Sequence, residues 1–240
     1  MKTRIVHARI SENNTINGKA GDQTKQEVRI QDWYSRPWNV VIRSKNIKKR
    51  AEFADFLIEL SKNENIGYSQ AERNTLLKEL ERVNFDPKKV GPCNCDCSSF
   101  VTAGLIAVGY PKEKLYKGNS LTTRDMKKTL LDLPDFFALG QLKYTTSSDY
   151  LIKGDILLSE GHHVAVNITD GLASCITEQY FPRYEGESDS IVDALKSLGV
   201  DSSSEYRKKI AAANNIVNPG SAEGNMIMLV LLKNGALKQP

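Results

Sequence analysis

The run "SSFVTAGLIAVGYP", Ser98 to Pro111, constrains the fold more than any other part of the chain. Phe100, Val101, Ala103, Leu105, Ile106, Ala107 and Val108 leave no polar stripe at helical spacing. The pattern predicts a helix surrounded by protein on every side. Such a helix needs at least two covering layers drawn from elsewhere in the chain. Gly91 and Pro92 break the chain ahead of it, its start falls at Asp96 to Ser98, and Gly109 with Pro111 ends it. Gly104 in its middle predicts the close approach of a neighbouring element.

The flanking segments supply those layers. The stretch "EVRIQDWYSRPWNVVIR" reads as extended and carries both tryptophans, Trp33 and Trp38, with Pro37 marking an edge or a turn. From Ile47 to Leu60 the residues Ala51, Ala54, Leu57 and Ile58 share one helical stripe. A second helix is expected after Ser69, where "SQAE" offers a capping box with Glu72 and Leu76, Leu77, Leu80 and Val83 give a core face. Beyond a short helix at about 123–131, three runs read as strands: "KGDILLS", "HHVAVNIT" and "LASCITE". Asp170-Gly171 predicts a hairpin between the last two. Helices followed by an antiparallel meander make an α+β domain.

The composition then shifts at "YFPRYEGESDS", which reads as a linker. Past it, Ser188 before "DSIVDALKSL", Ser202 with Glu205 before "YRKKIAAAN" and Ser221 before "EGNMIMLVLLKN" predict three capped helices, a small bundle. The expected division is a domain over 1–183 and a helical one over 188–240.

At 240 residues, with 40% hydrophobic and 26% charged side chains, the chain can bury a core without disulfide staples. Its longest apolar run, Met226 to Leu232, is far shorter than the roughly 18 residues of a membrane helix. No apolar stretch follows the basic residues of "MKTRIVHARISENN", so no secretory signal is read there, and synthesis in a cytoplasm is expected. The net charge of +4 is spread along the chain, and the densest run, "KNIKKR", reads as a solvated helix face. With no zinc-finger spacing or basic tail, nucleic acid is not expected as a partner.

Three of the four cysteines, Cys93, Cys95 and Cys97, lie within five residues, which is no disulfide framework. Cys97 falls at the start of the buried helix, and His162 and His163 open a strand. Helix N-terminal amides and a nearby imidazolium can lower a thiol from ~8.5 to ~3.5–7.5, and the same amides can receive an oxyanion. A strand histidine against that helix would complete a nucleophile–base pair. Two other readings stand beside this one: a zinc site built from the three cysteines and a histidine, for which single-residue spacing is poor, and plain core packing.

The ordered set "DCSSFV", "GDILL" and "HHVAV", followed by Asp170-Gly171, resembles the NlpC-type cell-wall cysteine peptidases, whose layout the CHAP amidases share. These are papain-like hydrolases of peptidoglycan, and the likeness covers roughly residues 90–180. The stretch "RISENNTINGKAGDQTKQEV" through "WYSRPWNVVIR" resembles the start of phage and prophage endolysins, and the C-terminal bundle is similar to their small wall-binding modules.

The resemblance implies a papain-like domain with Cys97 as nucleophile and His163 as base, and with Asp96 and Ser98 holding the free amine of a stem peptide. His162 falls beside the base as a partly exposed strand residue. In the family a polar residue on the next strand orients the base. Pairing across Asp170-Gly171 would put Glu178 opposite His163, whereas simple counting reaches Cys175, Asn167 lies further along His163's own face, and a dyad helped by water or a backbone carbonyl is the remaining alternative. The implied activity is cleavage of the γ-D-Glu–diamino acid bond, with an N-acetylmuramoyl-L-alanine amidase as alternative. A non-catalytic wall-binding or Cys/His metal-binding protein is the reading from another class. The expected partner is the bacterial wall polymer, reached after release from the cell, and neither cofactor nor metal is called for.

Overall fold

A computed structural model describes residues 2–10, 16–17, 27–174 and 180–240. The chain divides into two compact units, Met1–Cys175 and Ile176–Pro240.

The first unit is built on an antiparallel sheet. Three strands come from the extended N-terminal stretch: β1 (Arg4–Ala8), β2 (Val28–Asp32) and β3 (Val40–Ser44). Helix α1 (Ile47–Leu60), strand β4 (Ile66–Tyr68) and helix α2 (Thr75–Arg82) follow, then β5 (Cys93–Cys95) and the central helix α3 (Cys97–Ala107). Helices α4 (Lys112–Leu115) and α5 (Met126–Leu131), strand β6 (Phe136–Leu139) and helix α6 (Leu142–Thr145) lead to β7 (Ile156–Ser159) and β8 (His163–Asn167). The six-stranded order is β2-β1-β8-β7-β3-β6, and β4 with β5 forms a separate parallel pair.

Helix α3 is the centre of this unit. Its residues from Cys97 to Ile106 are all buried. Phe100, Val101, Ala103 and Leu105 share one core with Phe53 and Leu57 of α1, Leu76 and Leu80 of α2, and Val6, Val164 and Val166 of the sheet. Each fully buried side chain of this kind contributes roughly 1.5–3 kcal/mol. A Cβ added at Gly104 would come within 2.6 Å of a Leu57 methyl, which shows how closely α1 approaches. The opposite sheet face carries a second core of Ile5, Trp38, Val41, Leu157 and Ala165.

Two local expectations are corrected. Helix α2 begins at Thr75; the Ser69 hydroxyl accepts from Glu72 N at 3.0 Å, but as a turn ahead of the helix. The described part of "LASCITE", Leu172 to Ser174, is a turn, and among the described residues Asp170-Gly171 joins no pair of strands; the rest of the segment lies outside the described residues. Instead Gly171 is pressed against the backbone of Ser148 and Asp149, where a Cβ would lie 2.2 Å from a carbonyl oxygen. The strand beside β8 is β1, pairing Ile5 with Asn167 and Val6 with Val166. A local turn signal cannot register a competing strand from the far end of the chain.

The "GDILL" segment is a structural device. Asp155 is fully buried and forms a bidentate pair with Arg43 of β3, both contacts at 2.7 Å, while its Oδ2 accepts from Ile152 N. Gly154 has φ +88°, and a Cβ there would lie 2.4 Å from the Arg50 carbonyl oxygen.

The second unit holds α7 (Ile191–Ser197), α8 (Ser204–Ala213) and α9 (Ala222–Lys233), capped by Ser190, Ser203 and Ser221. The first two caps fall one or two residues beyond the expected serines, since Ser188 and Asp201 make Asx- and Ser-type turns just before them. Ile191, Leu195, Ile210, Met228 and Leu232 form its core with Phe181 and Tyr184. No helix among the described residues is long and apolar enough to cross a membrane.

Candidate active site

Cys97 is the first residue of α3 and is buried. The helix is held at this point by a reciprocal capping box: Asp96 Oδ1 accepts from Ser99 N at 2.7 Å, and Ser99 Oγ accepts from Asp96 N at 2.8 Å. The backbone N–H groups of Val164 and Ser98 reach the sulfur and favour its ionised form. Burial outweighs them. It pushes the thiol up to about 11, with Asp96 adding to the rise. The lowering expected of a helix terminus is thus overridden by desolvation, and at neutral pH Cys97 is a thiol.

His163 opens β8 and is buried. Its Nε2 lies 2.8 Å from Nδ1 of His7 on β1, and the two rings meet edge to face with centroids 5.1 Å apart. On its other side the imidazole stacks on Trp38 at 6.2 Å. Burial, with the charges of His7, Arg36 and Arg9 added, pulls His163 down to about 3. Burial likewise lowers His7 to about 4, with Arg9, Arg29 and Arg36 acting in the same direction. Both rings are therefore neutral at pH 7, and one donates to the other.

Cys97 lies on the face of the sheet that packs against α3, whereas the His163 ring, alternating with Val164, lies on the opposite face with Ala165 and Trp38. The sulfur reaches the amide of Val164, the residue after His163, while the ring turns toward His7 and Trp38. Among the described residues no hydrogen bond joins the sulfur to the ring. Val164 and Val166 belong to the core around α3, and Ala165 to the core on the opposite sheet face.

Asp96 and Ser98 are engaged by a residue the sequence reading did not single out. Arg73 pairs with Asp96, Nε to Oδ2 at 2.8 Å, and its Nη2 donates to Ser98 Oγ at 2.7 Å and to the Leu121 carbonyl at 2.6 Å. All three side chains are buried. His162 is exposed and lines a cavity with His163. Glu178 and Cys175 lie outside the described residues. Asn167 is buried and donates to the carbonyls of Ile152 and Thr169, closing the far end of β8.

Cys93 and Cys95 are buried in β5, with burial pushing Cys93 up to about 12 and Cys95 well above its ordinary value. Such thiols are inert packing groups. No cluster of three or more His, Cys, Asp or Glu side chains among the described residues could hold a metal ion.

His7 is the functional candidate missed in the sequence. A single histidine in a short strand carries no motif, and only the β1–β8 pairing brings it to His163.

No curated protein and no solved structure matched the chain. A family model described as an endolysin-like domain matches residues 5–174, which takes in β1 with His7, α3 with Cys97 and β8 with His163. That match spans well over half of the 240 residues, and the chain belongs to the endolysin-like domain family.

Proposed function

We propose that this endolysin-type protein is a cysteine hydrolase of peptidoglycan with a papain-like, NlpC-type arrangement, in which Cys97 attacks, His163 moves the proton and His7 orients His163. The single observation that carries the reading is the 2.8 Å contact between His7 and His163 at the strand end where the Cys97 sulfur also arrives. A proton on His163 Nε2, donated to His7 Nδ1, leaves His163 Nδ1 bare to act as a base. In this proposal His7 fills the orienting role that the resemblance sought in Glu178.

With both partners neutral at rest, the thiol is not ionised in advance. Its proton passes to His163 as the sulfur attacks the amide carbonyl carbon, and the amides of Ser98 and Val164 stand beside the sulfur to receive negative charge. The C–N bond then breaks as His163 returns the proton to the leaving amine. Water, deprotonated by His163, hydrolyses the thioester and restores the thiol.

Within this reading the bond is the γ-D-Glu–diamino acid link of the stem peptide, supported by the family resemblance. The 188–240 bundle would hold the enzyme on the wall and raise its local concentration there. Digesting purified peptidoglycan with the wild-type protein and with Cys97→Ser tests both parts. New amino groups on the diamino acid, absent with Cys97→Ser, are expected. Release at the muramoyl–L-alanine bond instead would make it an amidase, and digestion by Cys97→Ser would remove the cysteine mechanism.

A further inference from the structure

The cavity beside the histidine pair, about 510 Å³ in volume, is lined by Arg9 and Arg36 as well as His7, His163, Tyr34 and Tyr68. Arg9 continues β1 one residue past its end, and Arg36 lies between β2 and β3, so two separate segments aim a guanidinium at one space. Both are partly buried, and none of the described residues lining the cavity is acidic. The charges of both reach the histidine rings, since each helps to hold His7 and His163 neutral. Arg9 Nε is used on the Ile10 carbonyl, at 3.2 Å. The residue assigned to an ammonium group by resemblance, Asp96, is already paired with Arg73.

Two guanidinium groups in a partly closed space repel each other, and that repulsion is relieved when an anion enters. Arginine's planar fork suits a carboxylate, which it can grip through two parallel hydrogen bonds. A stem peptide offers that group: an acidic residue joined through its side-chain carbonyl keeps its α-carboxylate a few bonds from the amide to be cut.

We infer that Arg9 and Arg36 hold a carboxylate of the wall peptide beside the scissile amide, so that the cleft selects peptides carrying a free carboxylate over those in which it is a carboxamide. This rests on the hydrolase reading for the identity of the ligand. The anion also gives the enzyme a means of orienting an intact stem peptide, one whose amino end is still joined to the sugar. Charge recognition then takes the place of amine recognition in this cleft.

The test reads binding without turnover. Two soluble disaccharide peptides, identical except for carboxylate or carboxamide on the acidic residue, are titrated calorimetrically into the Cys97→Ser protein. The carboxylate form is expected to bind about tenfold tighter or more, with the advantage shrinking as salt is raised. Arg9→Gln combined with Arg36→Gln should erase the difference, and Arg9→Lys with Arg36→Lys should keep part of it, which controls for misfolding. Equal binding of the two peptides, or a preference that survives the double glutamine variant, overturns the inference. Inorganic phosphate displacing the carboxylate peptide at lower concentration than acetate or glutarate would also overturn it, by making this a phosphate site. A wild-type digest that frees no amino groups, alongside a clear carboxylate preference in binding, would instead strike only the hydrolase reading.

Discussion

Nδ1 of His7 and Nε2 of His163 lie 2.8 Å apart across 156 residues of sequence. They come together because β1, the first strand of the chain, pairs antiparallel with β8. If His7 fixes the tautomer of His163, His7→Ala should lower kcat about 10²-fold with little change in KM. His7→Asn, which can still accept from Nε2, should recover part of the loss. Hydrolysis of a soluble muropeptide measures both constants, and an unaltered kcat in His7→Ala would reduce His7 to a packing residue.

Removing the proposed nucleophile should be far more damaging. Cys97→Ser is expected to reduce lysis of susceptible cells by several orders of magnitude, of the order 10⁴ or more. Its unfolding midpoint and wall binding should match the wild type. Turbidity assays with sedimentation on purified walls separate these effects.

The two histidines are held neutral by burial, His163 at about 3 and His7 at about 4, against an ordinary 6.5. Below pH 6.5 the unfolded chain takes up protons that the folded chain resists, so stability present above 6.5 is lost as the pH falls toward 4 and 3. Urea midpoints at pH 7 and pH 5 should differ, and the difference should shrink in His7→Gln. The thiol gives the opposite limb. Cys97 at about 11 predicts an alkylation rate that keeps rising from pH 8 to 10, whereas a thiolate–imidazolium pair would already be at its plateau.

Asp155, just before β7, is tied to Arg43 of β3. Breaking its fully buried pair with Arg43 by Asp155→Ala strands a guanidinium in the core and should cost about 3–5 kcal/mol. Denaturant titration reads this directly. A loss under 1 kcal/mol would mean that the pair contributes little net stability.

Helix α9 leaves Met226, Ile227 and Val230 exposed on the second unit. If this surface meets the wall, Met226→Ser with Val230→Ser in the full chain should weaken sedimentation with purified walls about tenfold while the unfolding midpoint stays within a few degrees. Unchanged sedimentation would take this face out of the binding role.

How much was legible depended on how local each feature is. The all-apolar run of α3 announced its own burial, and Gly104 announced the close approach of a neighbour, because both follow from side-chain size and helical period alone; that the neighbour is α1 came from the structure. Cys97 at the helix start and His163 at a strand start were readable from motif spacing. The pairing of β1 with β8 was not, because hydrogen bonding between strands is decided by which edges are free once the helices have packed. That one pairing set β1 against β8 and brought His7 to His163. The capture of Asp96 and Ser98 by Arg73, and the charge states of Cys97 and His163, were likewise set by tertiary structure. Burial and partner distance determine the cost of a charge, and residues far apart along the chain create both.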